Sequence, residues 1–208
     1  MLRRWGFAGL LAVAGMALWL LLAGPSKVLG IDTGQAGMAL LIATAWISLY
    51  AVYRLPRGEF EKAASPGEWK AWVGMAFMAV TIAYFLSKAH VFQGPPIPHN
   101  PDATAVGRNL VMLLVAWSVL SGVLASRWKG EVEEDERDRE IAAQASGWGR
   151  GALVFCIIGI AVMLGFSPSE RLQWATHLMI ANLLIFALMW GLLFEYVATA
   201  VHYWRDRR

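Results

Sequence analysis

The chain has 208 residues, of which 58% are hydrophobic and only 16% are charged, with 18 Lys and Arg against 15 Asp and Glu. An ordinary soluble domain carries about 25% charged residues, so this composition excludes a globule with a polar surface, and its hydrophobicity excludes disorder. A net charge of +3 gives no nucleic-acid signal, and a single cysteine, Cys156, excludes a disulfide framework or a multi-cysteine zinc site.

What remains is an integral membrane protein. A helix crossing the hydrocarbon layer needs about 20 mostly apolar residues. Residues 5–23 form the first such stretch, behind Arg3 and Arg4. It ends on Ala23-Gly24-Pro25-Ser26, in the manner of a secretory signal, but its apolar run is longer than a signal core, and we read it as a span. Five more stretches follow, at residues 36–53, 72–86, 110–126, 151–166 and 172–203. The breaks between them, at 24–35, 54–70, 87–109, 127–150 and 167–171, are polar or rich in Pro and Gly. Helices are expected because an open strand leaves backbone groups unpaired in lipid, and the alternation of a membrane barrel is missing. The expected fold class is all-α: a helical bundle of six transmembrane helices.

Orientation follows from the loops. Placing the N-terminus inside leaves only Lys27, Lys88, Arg108 and Arg171 on the outer side, with every other Lys and Arg in the cytoplasm. Trp5, Trp69, Trp72, Trp128, Trp148 and Trp204 gather at the same cytoplasmic boundary, where an amphipathic ring is favoured. Both termini are therefore expected inside, in the inner membrane of a cell. Three spans leave the cytoplasm on Trp and small residues, at Trp5-Gly6, Trp72-Val73-Gly74 and Trp148-Gly149, and three return on Tyr53-Arg54, Arg127-Trp128 and Tyr203-Trp204-Arg205. This recurrence, at intervals of roughly 70 residues, suggests one membrane domain of three hairpins, 1–57, 69–129 and 147–208, with a cytoplasmic helical loop at 130–147. Belt residues at the end of every hairpin produce the same pattern without a repeat.

That loop is the most unusual stretch. Residues 131–140 hold Glu131, Glu133, Glu134, Asp135, Glu136, Asp138 and Glu140, with Arg137 and Arg139 among them. Glu133–Arg137 and Asp135–Arg139 are i,i+4 acid-to-base pairs, each worth about 0.2–0.5 kcal/mol on a helix. Residues 132–146 contain no Pro or Gly, so a cytoplasmic helix is expected to lead into the fifth span, with Gly147 and Gly149 allowing a turn or a close backbone approach. A solvated face, a docking surface for a partner (Glu133, Glu134, Asp135, Glu136, Arg137, Asp138 and Arg139) and a metal cluster are the three readings. Neighbouring residues on a helix point in different directions, whereas metal sites need convergent oxygens.

The stretch Asp135-Glu136-Arg137-Asp138-Arg139, followed by Ile141 and the small residues Ala142, Ala143 and Ala145 and then a span, resembles the loop of a family of small uncharacterised bacterial membrane proteins. The resemblance covers roughly residues 130–165. It implies a regulatory or accessory membrane protein with a cytoplasmic contact surface, since some members are encoded beside small DNA-binding regulators. This chain departs from the family in having six expected spans rather than four. Glu133-Glu134 followed by Arg137 is also similar to the paired glutamates of intramembrane CAAX-type proteases. That family needs glutamates and histidines inside the spans; the spans here offer His177 with Asn182, while the paired glutamates lie in a loop.

An ionisable residue inside a span costs at least about 2.5 kcal/mol at the bilayer centre and marks function by default. Glu195 is the candidate, with Thr199 and His202 on its face. It lies eight residues before Tyr203, about 12 Å at 1.5 Å per residue. Asn182 lies on nearly the opposite face of the same helix. In the outer loop, His90, His99 and Asp102 form a weak metal set among Pro95, Pro96, Pro98 and Pro101. No catalytic residue and no cofactor is implied. The first expectation is a non-enzymatic regulatory or accessory protein whose partners are the bilayer and a cytoplasmic or membrane protein, with homo-oligomers also open and no direct nucleic-acid contact. A small transporter or channel using Glu195 is the second, and a membrane enzyme the third.

Overall fold

The computed structural model describes residues 12–21, 27–28, 31–53, 66–93, 100–128 and 136–206. These residues are helical apart from Asn100, the connection before the last helix and a two-residue antiparallel ladder, Lys27–Val28 against Ile31–Asp32. The helices are α1 (Ala12–Leu21), α2 (Thr33–Tyr53), α3 (Pro66–Lys88), α4 (Pro101–Trp128), α5 (Glu136–Phe166) and α6 (His177–Asp206). Single 3-10 turns, Ala89–Gln93 and Ser169–Leu172, follow α3 and α5. Four stretches, Gly67–Phe92, Pro101–Val123, Arg137–Phe166 and His177–Arg205, are long and apolar enough to cross a membrane. The 21 residues of α2 contain no Asp, Glu, Lys or Arg.

Several element boundaries differ from the sequence expectation, with α3 starting at Pro66 rather than at 72 and α2 at Thr33 rather than at 36. The fourth stretch is expected at 110–126, yet α4 starts at Pro101. Asn100 caps it, accepting from the Ala103 N–H at 3.0 Å, and Pro101 takes the first helical position, where its missing N–H costs nothing. The sixth stretch is expected from Leu172, but Leu172 closes a 3-10 turn and α6 begins at His177. Its start is set by Thr176, whose Oγ1 accepts from the Met179 N–H at 3.1 Å. Of the two expectations for Gly147 and Gly149, a turn or a close backbone approach, the turn is not made, since α5 runs unbroken for 31 residues, and Gly149 makes the close approach.

The helices assemble around α6, which lies between α5 on one side and α3 on the other. Next to them α2 packs on α3 and α4, and α1 crosses α2 where Gly37 has no side chain. A Cβ on Gly37 would meet the Ala17 carbonyl oxygen and the Leu21 nitrogen, each at 2.9 Å. The centre holds the fully buried Met78, Leu110, Leu113, Trp117 and Met189, with the Phe77 and Trp117 rings stacked at 4.9 Å. Tyr196 joins three helices. Its ring fills the gap left by Gly74 of α3, and its hydroxyl accepts from Trp117 Nε1 of α4 at 2.6 Å.

At one end of this bundle α3 and α5 begin and α6 finishes; we call it the charged end. The opposite end carries the starts of α4 and α6. Only 6% of the most apolar stretch of α5 is buried inside the chain, against 39% for those of α3 and α4. Phe155, Ile158, Val162 and Phe166 stand exposed along it. An apolar helix presented outward in this way suits lipid, not water.

Candidate functional sites: a docked charged helix and an intramembrane carboxylate

The first site is the charged end. Ile141 and Ala145 are buried on one stripe of α5, four residues apart as helical geometry requires, and they seat its first turns on the bundle. Asp138 lies one turn before Ile141, and its Oδ1 accepts a hydrogen bond from the Tyr203 hydroxyl of α6 at 2.9 Å. That hydroxyl has room because residue 67 is glycine: a Cβ there would lie 2.5 Å from it. Glu68, the acid in the first turn of α3, is 3% exposed and accepts from Trp72 Nε1 at 3.3 Å. Glu68 sits in the first turn of its helix, where the peptide dipoles favour negative charge.

Of the sequence candidates here, Glu133, Glu134 and Asp135 lie outside the described residues. Glu136 is the first residue of α5. Arg137, Arg139 and Glu140 are exposed, and Asp138 is half-buried against Tyr203. The run therefore divides into a residue that anchors the helix and residues that face outward. Among the described residues no group of three His, Cys, Asp or Glu converges as a metal site would require. In the outer loop His90 and Asp102 are exposed, and His99 lies outside the described residues.

The second site is the crossing of α5 and α6. Gly149 of α5 faces Gly191 and Glu195 of α6. A Cβ on Gly149 would lie 2.9 Å from the Gly191 carbonyl oxygen, 2.9 Å from Glu195 Cβ and 3.3 Å from Glu195 Oε2. A Cβ on Gly191 would meet Leu153 Cβ at 3.0 Å and the Gly149 carbonyl oxygen at 3.1 Å. Small residues at both positions let the backbones touch, as tight membrane helix pairs need. Glu195 is half-buried in this notch, and among the described residues its carboxylate makes no hydrogen bond or ion pair. Thr199 gives its hydroxyl proton to the Glu195 backbone carbonyl at 2.8 Å, and His202 is half-buried one turn on.

Sequence reasoning passed over Glu68, Tyr203 as a hydrogen-bond donor, and the Trp117–Tyr196 pair. Glu68 had a signal in Pro66-Gly67-Glu68, an acid just inside a Pro-led helix start. Tyr203 had none, because an aromatic residue at a boundary equally serves as a belt anchor. No family model, no curated protein and no solved structure matches the chain.

Proposed function

We propose that this is a six-span inner-membrane protein with both termini in the cytoplasm, acting as a non-enzymatic regulatory or accessory subunit. On this reading α1 and α2 are spans in addition to the four long apolar helices, and the charged end faces the cytoplasm. The observation that carries the proposal is the anchoring of α5. A single helix runs from the apolar layer into the charged segment, pinned by Asp138–Tyr203 and by Ile141, with Arg137, Arg139 and Glu140 facing outward. A rigid helix end presents a fixed charge pattern, and its ordering cost is met before a partner arrives. The partner is a protein with a complementary charged surface, cytoplasmic or in the membrane.

The test is co-purification of the full chain from native membranes after mild cross-linking. Reversing Arg137, Arg139 and Glu140 together is expected to remove the partner bands, while the protein stays in the membrane with an unchanged unfolding temperature. Partner recovery equal to that of the unmodified protein would sink the reading. A second reading, a transporter or channel subunit, is favoured by Glu195, an intramembrane carboxylate lacking a protein partner among the described residues. It requires proteoliposome flux that Glu195→Gln abolishes.

A further inference from the structure

Two opposite charges flank one side of the α5–α6 crossing, at the head of an apolar groove. The backbones of the two helices touch at Gly149 and Gly191. At about 100° per residue, Glu195 and Leu188 lie about 40° and 60° round α6 from Gly191, and Ser146, Ile157 and Arg150 about 60°, 80° and 100° round α5 from Gly149. α5 begins at the charged end where α6 finishes, so the helices are antiparallel, and a rotation of the same sign on each leads to the same flank. Leu188 and Ile157 are exposed on that flank, with Leu153 half-buried between the helices.

Glu195 is half-buried at the head of this groove. Arg150 is exposed, and its guanidinium turns back along α5, with Nε donating to the Ser146 carbonyl and Nη2 to Ser146 Oγ, both at 3.4 Å. Ser146 precedes Gly149 by three residues, so the cation and the carboxylate lie within about one helical turn of each other in depth. The two bonds to Ser146 use two of five guanidinium N–H groups and leave three for another acceptor. Among the described residues Arg150 and Glu195 make no ion pair with each other. The apolar run 151–166 starts directly after Arg150, and only 6% of the most apolar stretch of α5 is buried inside the chain. The pair therefore marks the margin of the hydrocarbon layer along α5, and the exposed Trp148 beside it is an aromatic residue of the kind favoured there.

The chemistry on this flank is that of one lipid. Arg150 suits a phosphate, Glu195 an ammonium, and the groove beyond them hydrocarbon chains. A choline head group has no N–H to give the carboxylate, a serine head group sets a second carboxylate against Glu195, and a glycerol head group brings no cation. We infer that the α5–α6 groove binds one phosphatidylethanolamine, its phosphate on the Arg150 guanidinium and its ammonium on the Glu195 carboxylate. This site stands apart from both functional readings above, since it needs neither a protein partner nor flux.

The experiment titrates the full chain in mild detergent with phosphatidylethanolamine, phosphatidylcholine and phosphatidylglycerol of identical acyl chains, and counts bound lipid by native mass spectrometry. The unmodified protein is expected to hold one phosphatidylethanolamine about tenfold more tightly than either other lipid, as one hydrogen bond between charged groups provides. That comparison needs no variant. Glu195→Gln is expected to bring phosphatidylethanolamine down to the level of phosphatidylcholine, and Arg150→Gln to weaken all three lipids. Arg171→Gln, exposed at the opposite end, is expected to change nothing. Equal retention of the three lipids by the unmodified protein, a preference for phosphatidylglycerol, or a phosphatidylethanolamine preference that survives Glu195→Gln overturns the site.

Discussion

Replacing Gly149 by leucine is expected to separate α5 from the bundle. The position of the missing Cβ already lies 2.9 Å from the Gly191 carbonyl oxygen and 2.9 Å from Glu195 Cβ. One of these is backbone and the other the root of a side chain, so neither yields by rotation. Overpacking a close-packed interior usually costs about 1–3 kcal/mol. Here the whole helix must translate, and α5 packs chiefly on α6, so we expect a loss at the upper end, about 3 kcal/mol. Gly151→Leu is the control: nothing lies within 4 Å of a Cβ there, and its stability should change little. Unfolding in a graded mixture of mild detergent and dodecyl sulfate, followed by circular dichroism, checks both. Equal midpoints for the two variants would remove the Gly149–Gly191 crossing from the account.

The second large effect belongs to Tyr196. Its ring carbons lie 2.8–2.9 Å from where a Cβ on Gly74 would sit, and its hydroxyl is the acceptor for Trp117 Nε1, whose side chain is 2% exposed. Gly74→Ala pushes the ring away from α3 and strains the hydrogen bond to α4, a combined cost of about 2–3 kcal/mol. Tyr196→Phe keeps the ring but strands the indole N–H, at about 1–2 kcal/mol. The distinguishing measurement is the double variant Gly74→Ala/Tyr196→Ala. Removing the ring removes the clash, so the two changes should be strongly non-additive. Simple additivity would mean that Tyr196 does not hold α3 and α4 together.

Much of this architecture is legible in the sequence, for reasons that differ by residue. The apolar stretches reveal the helices because length and hydrophobicity set the requirement for crossing lipid. Boundaries are harder. Asn100-Pro101-Asp102 is a cap, a first-position proline and a first-turn acid, yet the prolines before it carry an equally strong loop signal. Leu172 and Trp174 extend the apolar run before α6, although Thr176 is what starts the helix. Gly149 offered a turn or a close approach, and its sequence neighbourhood does not choose between them; Gly191, 42 residues on, does. The site follows the same logic. Residues 131–140 stand out by charge alone, but which acid is anchored depends on Tyr203, 65 residues from Asp138. Glu195 is visible because a carboxylate in an apolar helix is rare, whereas its notch is visible only once α5 and α6 are brought together.

On the proposed topology the charged end of α5 lies in the cytoplasm at one end of a six-span bundle. Single cysteines at exposed positions, introduced in a Cys156→Ser background, are labelled with a membrane-impermeant maleimide in right-side-out and inverted vesicles. Arg139→Cys should label only in inverted vesicles, and Asp102→Cys and Gln35→Cys only in right-side-out ones. Labelling of Arg139→Cys in right-side-out vesicles, of Arg139→Cys and Asp102→Cys from the same side, or of Gln35→Cys together with Arg139→Cys, would overturn that topology.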